Sequence, residues 1–193
     1  MSRQRAFPSS RSPAWEALFT TANLTAGQRV LIHAGAGGVG SIAVQLARAK
    51  GAHVTATASA GKAELVKSLG ADQVIDYHAQ DFSNIAKDMD VVFDTIGGDV
   101  QEKSWGVLKP GGLLVSITDK PSEDRAKAEG KRAAFVFIGP NAAILKNLGQ
   151  MVDTGQVRPL IAAEFGLNDT AKAQDFSETG RATGKVVIYI GQP

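Results

Sequence analysis

Gly35-Ala36-Gly37-Gly38-Val39-Gly40 is the stretch whose reading decides the fold. Gly35, Gly37 and Gly40 satisfy the spacing G-x-G-x-x-G. The stretch follows a short apolar run, Arg29-Val30-Leu31-Ile32-His33-Ala34, that reads as a buried strand. It opens a segment in which Val39, Ile42, Ala43 and Leu46 recur at helical spacing, closed by Lys50-Gly51 where a helix C-terminus favours a cation and a glycine. Strand, glycine loop and helix together are the context this motif needs. The first glycine is expected to permit a tight turn. The second lets backbone amides approach a pyrophosphate, and the third lets helix and sheet pack closely. The helix N-terminus then offers free N–H groups and a partial positive charge. Gly35, Ala36, Gly37, Gly38, Val39 and Gly40 are therefore the first candidate cofactor-binding residues.

Outward from this loop, strands and helices alternate. Residues 53–58 alternate in the strand manner, and 62–69 are helical with Leu65, Val66 and Leu69 inward. Strands follow at 73–76 and 90–93, separated by a weak helix at 82–87. A helix at 100–108 ends at Pro110-Gly111-Gly112, and a fifth strand spans 113–117. Residues 119–132 read as a charged, loop-like insertion, 133–138 as a sixth strand and 141–152 as a helix. The tail offers a strand near 160–165, a helix near 170–177 and a last strand at 185–190. Before the first strand, Pro13 starts a helix carrying Trp15, Leu18 and Phe19 on one face, with Ser12 as its N-cap. The expected architecture is an α/β fold: a doubly wound, parallel six-stranded Rossmann sheet with helices on both faces and a short C-terminal strand-helix-strand segment. The expected strand order is 3-2-1-4-5-6, with the ligand crevice where strands one and four diverge. Residues 1–12 read as a disordered lead-in, 13–155 as the dinucleotide-binding domain and 156–193 as the C-terminal segment.

Bulk properties exclude several classes. The net charge of +2 leaves no nucleic-acid footprint, because Arg3, Arg5 and Arg11 of the acid-free lead-in account for the whole basic excess and the rest is close to neutral. There is no cysteine, and the three histidines fall in different segments, so neither a disulfide nor a zinc site is expected. No apolar run approaches the ~18 residues of a membrane span, and the arginine-bearing N-terminus lacks the apolar core of a secretory signal. A cytoplasmic protein is the default expectation.

The cofactor choice turns on an absence. NAD-preferring sites carry an acid at the end of strand two to hold the ribose 2′-hydroxyl. Here that region reads Thr57-Ala58-Ser59-Ala60-Gly61-Lys62. Ser59 and Lys62 suit a 2′-phosphate, which a carboxylate would repel. NADPH is thus favoured over NADH; the competing reading makes Ser59 a helix cap and Lys62 a solvated cation. The loops after strands four, five and six, with Asp94-Thr95-Ile96-Gly97-Gly98, Thr118 and Phe137-Ile138-Gly139, should border the nicotinamide by position. No Tyr-x-x-x-Lys pair, P-loop lysine or G-x-S-x-G is present, and the sequence names no proton donor and no other catalytic residue.

An ordered set of motifs carries a resemblance. Trp15-Glu16-Ala17-Leu18, Gly27-Gln28-Arg29-Val30-Leu31-Ile32-His33, the glycine loop, Leu69-Gly70-Ala71-Asp72, Val74-Ile75-Asp76-Tyr77, Asp94-Thr95-Ile96-Gly97-Gly98 and Leu108-Lys109-Pro110-Gly111-Gly112 occur in that order. Together they resemble the zinc-independent, quinone-oxidoreductase-like branch of the medium-chain dehydrogenase/reductase superfamily over residues 13–191. The resemblance implies NADPH-dependent reduction of a small-molecule quinone, enone or related carbonyl. It implies that Ser59, Lys62 and Tyr77 lie near the 2′-phosphate and that Thr95, Thr118 and Phe137 contact the cofactor. It also implies a homodimer joined through the strand at 133–138. Family members carry an N-terminal GroES-like catalytic domain ahead of the Trp15 helix, where this chain has a short polar stretch, and their final segment completes that domain. A non-catalytic NADPH-binding module is the alternative reading. A third, an S-adenosylmethionine methyltransferase, is suggested by Leu108-Lys109-Pro110-Gly111-Gly112 but lacks the acid that would hold its ribose.

Overall fold

A computed structural model describes residues 13–136 and 142–190. Six strands form one parallel sheet: β1 (Arg29–Ile32), β2 (His53–Ala58), β3 (Gln73–Asp76), β4 (Met89–Asp94), β5 (Leu108–Ser116) and β6 (Arg132–Phe135). Their spatial order is β3-β2-β1-β4-β5-β6, the order expected of a dinucleotide fold. Ile32 of β1 lies opposite Ala56 of β2 on one side and Phe93 of β4 on the other, so the carboxyl ends of β1 and β4 flank the point where the order reverses.

The strands are apolar throughout because both faces are covered. Val30, Ile32, Val91, Phe93, Leu113 and Val115 point to one face, where they meet α1 (Gly40–Ala49), α2 (Ala63–Ser68) and α6 (Ala142–Asp153). Leu31, Val92 and Leu114 point to the other and meet α3 (Phe82–Ile85), α4 (Gly98–Ser104) with the turn after it, and α5 (Glu123–Ala128) through Phe82, Val100, Trp105 and Ala126. The sheet is thus doubly wound. Trp15 and Phe19 pack edge to face at 4.7 Å in the entry helix, which is π-helical over Glu16–Thr21 and buries Leu18. Beyond α6, β7 (Ile161–Gly166), α7 (Thr170–Glu178) and β8 (Lys185–Tyr189) form a separate two-stranded parallel unit.

Three boundaries differ from the sequence reading. The helix ending near 108 stops at Ser104, followed by a single 3₁₀ turn, Trp105–Val107. Residues 108–112 belong to β5: Leu108 pairs with Met89, and the ladder shifts register before Leu113 meets Val91, so the Pro110-Gly111 pair sits in a strand irregularity. The charged stretch 119–132 contains α5, since the Ser122 hydroxyl accepts the Arg125 amide, acids occupy its first turn and cations its last. Ser12, the lead-in and residues 137–141, including Phe137 and the end of the sixth strand, lie outside the described residues. Among the described residues no helix is long and apolar enough to cross a membrane.

Candidate functional site

The glycine loop joins β1 to α1 at the switch point, and each glycine meets a different constraint. Gly35 is needed for space: a Cβ there would stand 2.9 Å from the Ala56 Cβ and 3.2 Å from Val66. The left-handed residue of the turn is Ala34, at φ +50°, and not Gly35, which corrects the expectation that the first glycine serves backbone conformation. At Gly40 a Cβ would overlap the Ala34 carbonyl, so the third glycine does serve close helix-to-strand packing. Gly37 is different. Its nearest neighbours are the Ala34 oxygen at 3.2 Å and the Ala34 Cβ at 3.9 Å, so the protein leaves its outer side nearly open. α1 has no side-chain N-cap and no acid in its first turn; its Ser41 and Ile42 amides donate to the Gly37 and Val39 carbonyls at 3.0 and 3.1 Å.

Below the loop, His33 holds four segments together. Its carbonyl accepts the Thr95 hydroxyl at 2.9 Å, and its amide donates to Phe93. The Thr57 hydroxyl oxygen accepts the Ala34 amide, so its proton is directed to His33 Nδ1; Nε2–H then donates to Ser104, whose own proton goes to the Val100 carbonyl. This network assigns the neutral Nε2–H tautomer. Burial lowers the His33 pKa from 6.5 to about 4, outweighing the attraction of the Asp94 carboxylate. A histidine depressed in this way stabilises the fold fully above pH 6.5, and the contribution is lost as pH falls toward 4, because the unfolded chain takes up the proton first. Wild type should therefore lose roughly 3 kcal/mol relative to His33→Gln between pH 7 and pH 4. Urea unfolding of both proteins across that range measures it; a constant gap between them would show that His33 titrates normally.

Asp94 fixes the neighbouring loop. Burial alone would raise its carboxyl, but hydrogen bonds from the Gly97 amide, Gln101, the Ile96 amide and Ser116 outweigh this and hold it below the usual carboxylate range. It is a structural anchor, as is Asp119, which accepts the Gly98 amide at 2.9 Å. Thr95 spends its hydroxyl on His33, and Thr118 lies 3.2 Å from the Ser116 hydroxyl.

A cleft of about 690 Å³ opens beside the loop. Ala36, Gly37, Ser59, Lys62 and Tyr77 line it together, so three separate parts of the chain converge on one space. Ser59 caps no helix through its side chain, contrary to the competing reading, and it lines the cleft. Lys62 is not simply solvated: its Nζ donates to the Arg181 carbonyl at 3.1 Å. Tyr77 is exposed, with its ring 4.2 Å from that of His78. Gly35, Gly38, Val39, Gly40, Thr95 and Thr118 do not line this cleft; they flank it in the adjoining loops.

Sequence reading missed the C-terminal contribution. Gly184 bridges Gly37 and its amide donates to the Ala36 carbonyl at 3.1 Å, while Lys185 lies over Gly38. No local pattern marks either residue, because their partners are far away in the chain. Ile96, within the loop expected to border the nicotinamide, lines the cleft, as does Lys103, which carries no local signal.

Fold and site together define a dinucleotide-type α/β protein whose glycine loop stands at the switch point of a parallel sheet. The description of zinc-binding dehydrogenases matches residues 69–188, and the chain belongs to that family, within the medium-chain dehydrogenase/reductase superfamily. It is 38% identical over 189 residues to 2-methylene-furan-3-one reductase of Solanum lycopersicum, covering 95% of this chain and 46% of the relative. It is 39% identical over 170 residues to the chloroplastic NADPH-dependent alkenal/one oxidoreductase of Arabidopsis thaliana, covering 86% and 41%. The quinone oxidoreductase of Coxiella burnetii superposes with a TM-score of 0.90 at 37% identity, covering 96% of this chain and 60% of that one. The chain thus spans about half the length of the curated relatives it matches. Among the described residues no group of three or more His, Asp or Glu side chains could hold a metal ion.

Proposed function

We propose that this chain binds NADPH across the β1/β4 cleft and serves hydride transfer to a quinone, enone or related carbonyl. The observation that carries the reading is the convergence of Gly37, Ser59, Lys62 and Tyr77 on one cleft. The open side of Gly37 and the uncapped α1 N-terminus suit a pyrophosphate. Ser59, Lys62 and Tyr77 offer donors to a 2′-phosphate. The carboxylates of the cleft, Asp81 and Asp99, belong to the N-termini of α3 and α4 and not to the end of β2. Asp76, opposite Ala58, turns its carboxylate to the His78 amide. The bound nicotinamide supplies the hydride. The chain's own residues bind and orient: the loop amides hold phosphate, and the His33 and Asp94 networks fix the loops on either side. Relatives named as an alkenal/one oxidoreductase and a quinone oxidoreductase support the substrate class.

Calorimetric titration of NADPH and NADH, followed by quinone and enone turnover on the same sample, tests the proposal. Tight NADPH binding with turnover is the expected result, and failure to bind either cofactor refutes it. Binding without turnover would favour the non-catalytic module for this chain. Lys62→Ala should weaken NADPH by about tenfold, in line with the loss of a charge-assisted bond, and leave NADH within about twofold. Equal losses would mean that Lys62 does not read the 2′-phosphate.

A further inference from the structure

Lys185 opens β8, yet its side chain belongs to the glycine loop. Gly184 makes this possible: it stands at φ +92°, and a Cβ there would overlap the Leu160 carbonyl. The Gly184 amide donates to Ala36 at 3.1 Å and the Lys185 amide to Leu160 at 2.8 Å, so the backbone is held on both sides of the turn. The lysine stem then runs over Gly38. A Cβ on Gly38 would lie 2.6 Å from Lys185 Cε, 2.9 Å from Cδ and 3.0 Å from Nζ. The ammonium is partly buried and has no carboxylate partner among the described residues.

We propose that the Lys185 amine is an acylation site for small acyl phosphates, and that its acylation closes the glycine loop to a dinucleotide. The inference rests on reading that loop as a phosphate site. Two properties meet at this position. Lysine reacts as the free amine, and desolvation lowers the Lys185 pKa from its ordinary value, so more of the free amine is present at neutral pH. The loop amides attract the phosphate end of the donor and bring its acyl carbon beside Nζ. The Nζ lone pair attacks that carbon and forms the C–N bond. The bond between the acyl carbon and the phosphate oxygen breaks, inorganic phosphate leaves with the electron pair, and the surplus nitrogen proton passes to water. Nothing is oxidised or reduced. The product amide is uncharged, and it adds bulk at the end of a side chain that already lies over Gly38. Lys172 is the counter-example within the molecule. It is exposed, paired with Asp169 at 2.7 Å and held above its ordinary pKa by that hydrogen bond.

The experiment exposes the purified chain to acetyl phosphate and follows each lysine by peptide mass mapping, with and without inorganic pyrophosphate. Lys185 should acetylate roughly tenfold faster than exposed Lys146 and Lys172, and saturating pyrophosphate should slow Lys185 alone by at least about fivefold. Lys185→Arg should remove the fast site, and Lys185→Gln, an uncharged stand-in for the product, should weaken NADPH by about tenfold or more. Reaction at Lys185 no faster than at Lys172, or rates indifferent to pyrophosphate, would overturn the proposal. The two readings separate cleanly. Fast, pyrophosphate-protected acetylation in a chain that does not bind NADPH sinks the cofactor proposal and the closing role with it, and upholds the acylation site; tight NADPH binding with an inert Lys185 upholds the cofactor proposal and sinks this one.

Discussion

Gly37→Val is expected to weaken NADPH binding by roughly a hundredfold or more, about 2.8 kcal/mol, while shifting the thermal midpoint by no more than about 4 °C. The two halves of the prediction come from the same geometry. A Cβ at Gly37 meets only the Ala34 oxygen, at 3.2 Å, and the Ala34 Cβ, at 3.9 Å, and Gly37 is not in the left-handed region. The fold therefore accommodates it with a small adjustment. A pyrophosphate approaching the loop amides does not, because the valine methyl groups occupy the space it needs. Gly40→Val provides the contrast. There the obstruction is the Ala34 carbonyl of the protein itself, so the expected result is a large loss of stability before any effect on binding can be read. Titration calorimetry beside thermal unfolding of both variants separates the cases. A Gly37→Val protein that binds NADPH as wild type does would remove the loop from the cofactor site.

The contrast among these glycines also shows what local sequence can and cannot carry. The G-x-G-x-x-G spacing, read between an apolar strand and a helical period, was enough to locate the loop and the switch point. The parallel sheet followed from alternation, because covered parallel strands are continuously apolar; its order followed from reading the glycine motif as the first turn of a dinucleotide fold. The reason for each glycine was not legible. Gly35 is set by Ala56 on the neighbouring strand, a contact that exists only after β1 and β2 pair. Residues 108–112 look like a helix-ending turn because proline and glycines dominate them, yet pairing of Leu108 with Met89 draws them into β5. In 119–132 the charges concealed a capped helix, since Ser122 and the acids after it are as common in loops. Ser59, Lys62 and Tyr77 were legible as a group through the missing acid and the family resemblance. Gly184 and Lys185 were not, because a lysine before an alternating strand carries no sign of which distant loop it will cross.

Asp94→Ala is expected to lower stability by at least about 4 kcal/mol, the larger effect on the fold itself. The carboxylate is fully buried and accepts from Ile96 and Gly97 amides at 2.9 Å, Gln101 Nε2 at 2.9 Å and the Ser116 hydroxyl at 2.8 Å. Alanine leaves these donors without their acceptor, and each buried unpaired donor costs about 1–3 kcal/mol. Against a total stability of about 5–15 kcal/mol for a domain, the loss brings the variant near its unfolding threshold. Asp94→Asn should lose less, about 2 kcal/mol, since its amide oxygen still accepts while its NH₂ faces donors. Because the carboxyl is held below its ordinary range, its contribution is present above the unfolded pKa of 3.8 and disappears as pH falls through the folded value. Urea midpoints of the three proteins at pH 7 should therefore rank wild type, Asn, Ala. A fall of less than 1 kcal/mol in the alanine protein would mean that water or a relaxed loop replaces the carboxylate, and that the β4–α4 loop is not held from within. The same loop carries Thr95 and Ile96 to the cleft edge. In Asp94→Asn, which keeps the fold, NADPH affinity should drop with the loosening of that edge, so the anchor and the proposed cofactor site stand or fall by one set of measurements.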